Sequence, residues 1–230
     1  MVVLVDNNPY RDGLETAWGL SVYVEVNGTK ALFDAGPDPA VLEANAKRLG
    51  VNLSSLDFVA VSHAHGDHTG GLKLLASIKP GLKVYIQPDE GLKRYVESLG
   101  LKPVQVNATT QVAKGVCVVK PLYGPPLEGA LAIQTGKGLA ILVGCSHPGV
   151  MNIVKQAVSD IGAKPYIVLG GFHMIGASQR EVEAVASQLV EAGVEMIYPI
   201  HCSGDAIRKH LANHYGDEYG DGGVGLEVTI

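Results

Sequence analysis

Between residues 62 and 71 the chain reads Ser62-His63-Ala64-His65-Gly66-Asp67-His68-Thr69-Gly70-Gly71. Three imidazoles and a carboxylate packed this closely would be costly to bury alone, because burial disfavours every charged form and like charges repel. A divalent cation removes both costs. Neutral imidazole and carboxylate suit Zn, Fe or Mn, whereas Ca and Mg prefer all-oxygen shells. The competing reading is a His-rich surface loop. The apolar strand before the run and the glycine-rich helix start after it argue against that.

Other histidines fall in a related pattern. Phe58-Val-Ala-Val-Ser62 leads into His63, Leu139-Ala-Ile-Leu-Val143 into Gly-Cys-Ser-His147, Tyr166-Ile-Val-Leu169 into Gly-Gly-Phe-His173, and Met196-Ile-Tyr-Pro-Ile200 into His201. Continuous apolar runs between helices indicate buried strands, and ligands of such sheets gather at the strands' carboxyl ends. Four strands therefore aim histidines at one edge. Pro199 fits only an edge strand or a strand end.

The remaining elements follow from local signals. Ser21 to Val26 alternates apolar and polar residues, Asn27-Gly28 signals a type I′ turn, and Lys30 to Phe33 returns as the partner strand. Asp38 and Pro39 open a helix that Gly50 closes. Further helices are predicted near 69–79, 88–99, 149–161, 178–192 and 203–214, the 178–192 helix opened by a Ser178-x-x-Glu181 capping box. No Pro, Gly and Ser linker divides the chain, so 1–230 reads as one layered α/β domain.

Composition narrows the function. With 47% hydrophobic and 18% charged residues the chain is expected to fold. No apolar stretch approaches the roughly 20 residues of a membrane span, and the start lacks a signal peptide's basic region, so a cytoplasmic protein without a membrane partner is expected. Three scattered cysteines, Cys117, Cys145 and Cys202, fit a reducing compartment. A net charge of −5 disfavours nucleic acid as a partner. Glycine is in excess, 29 of 230 residues against a usual level of about 7%, so many tight turns are expected.

With His63-x-His65-x-Asp67-His68, Phe33-Asp34-Ala35-Gly36 upstream and strand-end histidines downstream, the chain resembles the metallo-β-lactamase superfamily over nearly its whole length. It is similar more narrowly to the dihydropterin ribofuranosylaminobenzene phosphate synthase branch, through Gly19-Leu20-Ser21, Gly144-Cys145-Ser146-His147-Pro148-Gly149, Gly170-Gly171-Phe172-His173 and His201-Cys202-Ser203-Gly204. The resemblance implies a four-layer αββα sandwich, two mixed sheets flanked by helices. It implies one or two divalent metal ions, zinc foremost with Mn or Fe as alternatives. His63, His65 and His147 would hold the first, and Asp67, His68 and His201 the second. Asp34 would orient a ligand by hydrogen bonding or simply open a turn. Most members bridge the metals with an Asp after a strand-end glycine. No such carboxylate is evident here, and Cys145 or His173 is left to fill the gap.

The catalytic candidates are Asp67, to orient the attacking water, and His173, as ligand or substrate contact. Cys202 is placed at the pocket wall and Cys117 in the core. Glu128 either gates the site or flanks a turn, and Arg11 in the polar N-terminal loop suits a phosphate. His210 and His214 lack an HExxH pattern and read as a solvated helix face.

The function expected is a metal-dependent enzyme acting on a small anionic, phosphorylated molecule, either a hydrolase or a dihydropteroate-synthase-like transferase. In a synthase the metals would draw electrons from a pyrophosphate leaving group while an aromatic substrate attacks the pterin methylene. The alternative is a metal-binding, non-catalytic sensor or scaffold, which a centre closed to solvent would favour. A di-iron oxidoreductase of the same fold is disfavoured, since it would need a flavin domain.

Overall fold

In a computed structural model covering residues 1–230, the apolar runs pair into two six-stranded sheets. The first contains β1 (Val2–Val5), β2 (Ser21–Val26), β3 (Thr29–Phe33), β4 (Phe58–Ala60), β5 (Lys83–Ile86) and β6 (Lys102–Gln105). The second contains β7 (Thr110–Ala113), β8 (Val116–Tyr123), β9 (Leu127–Gln134), β10 (Leu139–Val143), β11 (Pro165–Gly171) and β12 (Met196–Ile200). In both, spatial order follows chain order. Each sheet is antiparallel at one side, β1-β2-β3 and β7-β8-β9-β10, and parallel at the other, β3-β4-β5-β6 and β10-β11-β12. The β2–β3 hairpin turns on Asn27 and Gly28, both at positive φ (51° and 79°), as a type I′ turn requires. Pro199 lies on edge strand β12.

The helices are α1 (Pro39–Arg48), α2 (Gly66–Thr69), α3 (Leu72–Ile78), α4 (Glu90–Ser98), α5 (Val150–Ile161), α6 (Gln179–Glu191) and α7 (Gly204–His214). Asp38 caps α1 by accepting from the Ala40 amide at 2.7 Å, and the Ser178/Glu181 box opens α6. None is long and apolar enough to cross a membrane.

The two-residue period of the strands explains the layering. On β10, Ala140 and Leu142 face the first sheet and join Val22, Phe33 and Phe58 in one buried cluster. Leu139, Ile141 and Val143 face the other way, against α5, α6 and α7. A third cluster joins the first sheet's outer face to α1, α3 and α4. Since both faces of β10 are covered, its sequence is continuously apolar. The result is a helix–sheet–sheet–helix sandwich.

One expected helix, 69–79, is divided. Its backbone instead bonds the Asp34–Pro37 loop, with the Ala35 amide on His68 O at 2.8 Å and the Gly71 amide on Gly36 O at 3.1 Å. A Cβ on Gly70 would fall 1.9 Å from Pro37 O, and one on Gly71 2.1 Å from Ala35 O. Glycine alone permits this approach. It draws the histidine-rich turn onto Asp34.

Candidate metal centre

The strand ends of both sheets meet at one mouth. His63, His65, Asp67 and His68 follow β4, while Cys145 and His147 follow β10, His173 follows β11 and His201 follows β12. Asp67 Oδ2, His68 Nε2, Cys145 Sγ and His201 Nε2 form a group of four potential ligand atoms. Cys145 Sγ lies 3.3 Å from His68 Nε2 and 3.4 Å from His201 Nε2, and Asp67 Oδ2 lies 3.6 Å and 3.5 Å from the same nitrogens. Tetrahedral ligands at 2.0 to 2.3 Å from one ion are separated by about 3.3 to 3.7 Å. The donors fit a single zinc-sized ion.

The second group is His63, Cys145 and His147, with ligand atoms within 4.8 Å of one another. His65 belongs beside it, its Nδ1 lying 3.0 Å from His63 Nε2 and its ring 5.0 Å from that of His147. The Cys145 sulfur belongs to both groups. Of the two candidates for the gap, Cys145 and His173, the sulfur is the one that lies within reach of both groups.

What prepares these imidazoles is the far nitrogen of each ring. Asp34 Oδ1 accepts the Ser62 amide at 2.7 Å, and Oδ2 accepts both the Ser62 hydroxyl and His68 Nδ1, each at 2.7 Å. Having donated its proton to Asp34, Ser62 Oγ accepts from His63 Nδ1 at 2.8 Å. Glu128 Oε2 accepts His147 Nδ1 at 2.8 Å, and Asn7 Oδ1 accepts His201 Nδ1 at 2.9 Å. Four rings thus carry a proton on Nδ1 and turn Nε2 inward. The donor set is assembled in the ligating tautomer.

Glu128 does more than either role considered from sequence, gate or turn. It lies in β9, completely buried, and its carboxylate also accepts the amides of Cys145, Ser146 and His147 at 2.8, 2.7 and 2.9 Å. One side chain therefore fixes the loop that supplies two candidate ligands. Asp6 similarly accepts the His201 amide at 2.8 Å. Ser62, Asp6 and Asn7 received no specific role from sequence. The available signal for Glu128 was a lone charge within the apolar run Leu127–Ile133.

Asp34, Ser146, His173 and His201 adopt positive φ of 52° to 62° and make up four of the five non-glycine residues that do so. Such strain concentrates where the surroundings over-determine a conformation. His173 is exposed, its ring 4.6 Å from that of His147, and it groups with Cys145 and Cys202 rather than with either main set. Cys202 lines the same wall, its thiol 3.6 Å from Cys145 O, and Cys117 is buried in β8. His210 and His214 stack at 4.5 Å on α7, away from the mouth. Arg11 is bonded to Glu227.

Electrostatics follow from this burial. Burial, reinforced by the rings of His68 and His147, holds His63 well below the usual imidazole range. For His68 burial acts in the same direction, but the Asp34 carboxylate outweighs it and raises the pKa. Burial would raise Asp67, yet His201 and His68 hold it at about 2. Cys145 is pushed up by its thiol neighbour Cys202 and by burial, a shift that a coordinated cation reverses.

The His63 shift has a measurable sign. Below the ordinary imidazole pKa of about 6.5 the unfolded chain takes up a proton that native, metal-free His63 refuses, so this group's contribution to stability falls with pH. Between pH 6.5 and 5 the metal-free protein should lose about 1.7 kcal/mol relative to its His63→Asn variant, the slope rising toward about 1.36 kcal/mol per pH unit as the unfolded imidazole becomes fully protonated. Denaturant titrations of both proteins measure it; a pH-independent difference contradicts it.

Fold and site together define a class, an αββα sandwich with a His, Asp and Cys cluster where two sheets' strand ends meet. The metallo-beta-lactamase superfamily model matches residues 19–158, and the chain belongs to that superfamily. A 7,8-dihydropterin-6-methyl-4-(β-D-ribofuranosyl)-aminobenzene-5′-phosphate synthase of Methanocaldococcus jannaschii is 31% identical over 87% of this chain and 86% of its own. In fold, the chain is similar to Tm1679, a metal-dependent hydrolase of the β-lactamase superfamily, with a TM-score of 0.83 and 24% identity over 100% and 98% of the two chains. A diphosphatase of the PhnP family gives a TM-score of 0.65 at 14% identity, over 99% and 95%.

Proposed function

We propose that the chain, acting as one unit over 1–230, is a metal-dependent enzyme for a phosphorylated small molecule, and that its reaction joins a pterin to a ribofuranosylaminobenzene phosphate. The observation that carries the metal dependence is the inward set of Nε2 atoms, each ring fixed through Nδ1 by Asp34, Ser62, Glu128 or Asn7. The substrate class rests on the relative with 31% identity.

His63, His65, His147 and Cys145 would hold one ion, and Asp67, His68, His201 and Cys145 another, with zinc foremost and Mn or Fe compatible with the same donors. Bound there, a divalent ion supplies Lewis acidity toward phosphoryl oxygen. Asp67, ionised and about one-fifth exposed, would orient the incoming nucleophile. His173, exposed beside His147, contacts the substrate as it enters. The exposure of His65 and His173 supports an enzyme over a sealed sensor site.

The test combines elemental analysis with mass spectrometry of products from a pterin diphosphate and ribofuranosylaminobenzene phosphate. Wild type and His214→Ala should contain metal and form the coupled product. His65→Ala should lose metal and, with several kcal/mol of Lewis-acid stabilisation gone, about 10³-fold in rate. Equal metal in all three proteins refutes the site, and turnover of phosphodiesters or lactones without coupling refutes the condensation.

A further inference from the structure

Beside His147 lies a cleft of about 430 Å³ that uses no candidate metal ligand. Its walls are the end of β8, with Leu122 and Tyr123, and the outer face of α5, with Asn152, Lys155 and Gln156; Pro148 forms part of its lining. The β8–β9 turn is fixed against the metal loop. A Cβ on Gly124 would meet Pro148 N at 2.3 Å and the His147 carbonyl carbon at 2.5 Å, so the two backbones touch. Tyr123 is thereby anchored one residue from that contact, yet its side chain has no comparable cover. It is 75% exposed, the highest value among the large hydrophobic residues.

The chemistry of the lining is selective. Lys155 is its only charged residue and forms no ion pair, while Asn152 and Gln156 are neutral hydrogen-bonding groups. An exposed aromatic ring and an unpaired cation lining one cleft suit a ligand with a flat ring at one end and an anion at the other. The volume is within the range of small-molecule sites.

We propose that the Tyr123–Lys155 cleft is the subsite for the phosphorylated aromatic substrate, the ring stacking on Tyr123 and the phosphate bonding Lys155. This assignment rests on the proposed use of a phosphorylated aryl substrate, and it places that substrate on the His147 side of the centre. The opposite side, at His201, is left for the second reactant.

Calorimetric titration of the metal-loaded protein with phenyl phosphate and with inorganic phosphate tests it. Wild type should bind phenyl phosphate about tenfold more tightly than phosphate. Tyr123→Ala should abolish that preference by weakening phenyl phosphate alone, and Lys155→Ala should weaken both ligands about five- to tenfold. Lys164→Ala removes a charge beside Glu195, at the far end of β11, and should change neither. Unaltered affinities in Tyr123→Ala and Lys155→Ala, or no preference in wild type, overturn the subsite. A protein that shows the pattern but forms no coupled product refutes only the condensation. One that couples its substrates with affinities indifferent to Tyr123 and Lys155 refutes only the subsite.

Discussion

Cys145→Ala should empty both metal positions at once and reduce turnover by about 10³-fold or more, since several kcal/mol of charge stabilisation would vanish with them. The reason is the shared sulfur. Cys145 Sγ is within 3.4 Å of both His68 and His201 and also groups with His63 and His147. No single histidine has this position, so His63→Ala and His201→Ala should each deplete one position more than the other. Cys145→Asp gives the sharper test. It places a carboxylate between the two donor groups and should recover both metal equivalents and part of the activity. Elemental analysis and initial rates on the same preparations decide the matter. A Cys145→Ala protein with its metal content intact would show that the sulfur is not a ligand.

Glu128→Ala should be the most destabilising single change at the site. It leaves the amides of Cys145, Ser146 and His147 and the Nδ1 proton of His147 buried without an acceptor. Truncating one partner of such a buried charged network costs about 3 to 5 kcal/mol. At about 2 to 4 °C per kcal/mol for a chain of this size, the melting temperature should fall by roughly 6 to 20 °C. Glu128→Gln separates positioning from stability. Its Oε1 can still receive the Cys145 and Ser146 amides, but its NH2 group faces His147 Nδ1 and favours the tautomer protonated on Nε2, the nitrogen needed by a metal. Metal affinity at the His147 position should fall about 10- to 100-fold in a protein that remains folded. Equal affinity in Glu128→Gln and wild type would show that Glu128 supports the loop alone.

The sequence was most informative where chemistry is local. His63, His65, Asp67 and His68 fall within six residues, and β10 and β11 are covered on both faces, so their apolar runs are unbroken. The shared sulfur was present only as one of two alternatives, because whether it meets His68 and His201 depends on pairing across the sandwich. Glu128, Ser62, Asp6 and Asn7 were harder still. Each acts through a hydrogen bond whose geometry exists only after distant segments meet, as when Asn7 reaches His201 across 194 positions of chain. Short strands such as β6, Lys102-Pro-Val-Gln105, escaped for a different reason. An edge strand with a proline and alternating exposure owes its conformation to its neighbour β5 more than to intrinsic preference.

The meeting of the two sheets' strand ends has a mechanical consequence. His63, His65, Asp67 and His68 come from loops of the first sheet, and Cys145, His147 and His201 from loops of the second. An ion gripped by both groups would be a clasp across the seam, and the halves could not separate without surrendering it. Its grip would add to the cohesion of the whole molecule by RT ln(1 + [L]/Kd), about 2.7 kcal/mol at a hundredfold excess over Kd. Chelation would therefore loosen the protein first at the rim where substrate enters, while the apolar filling between the sheets still held.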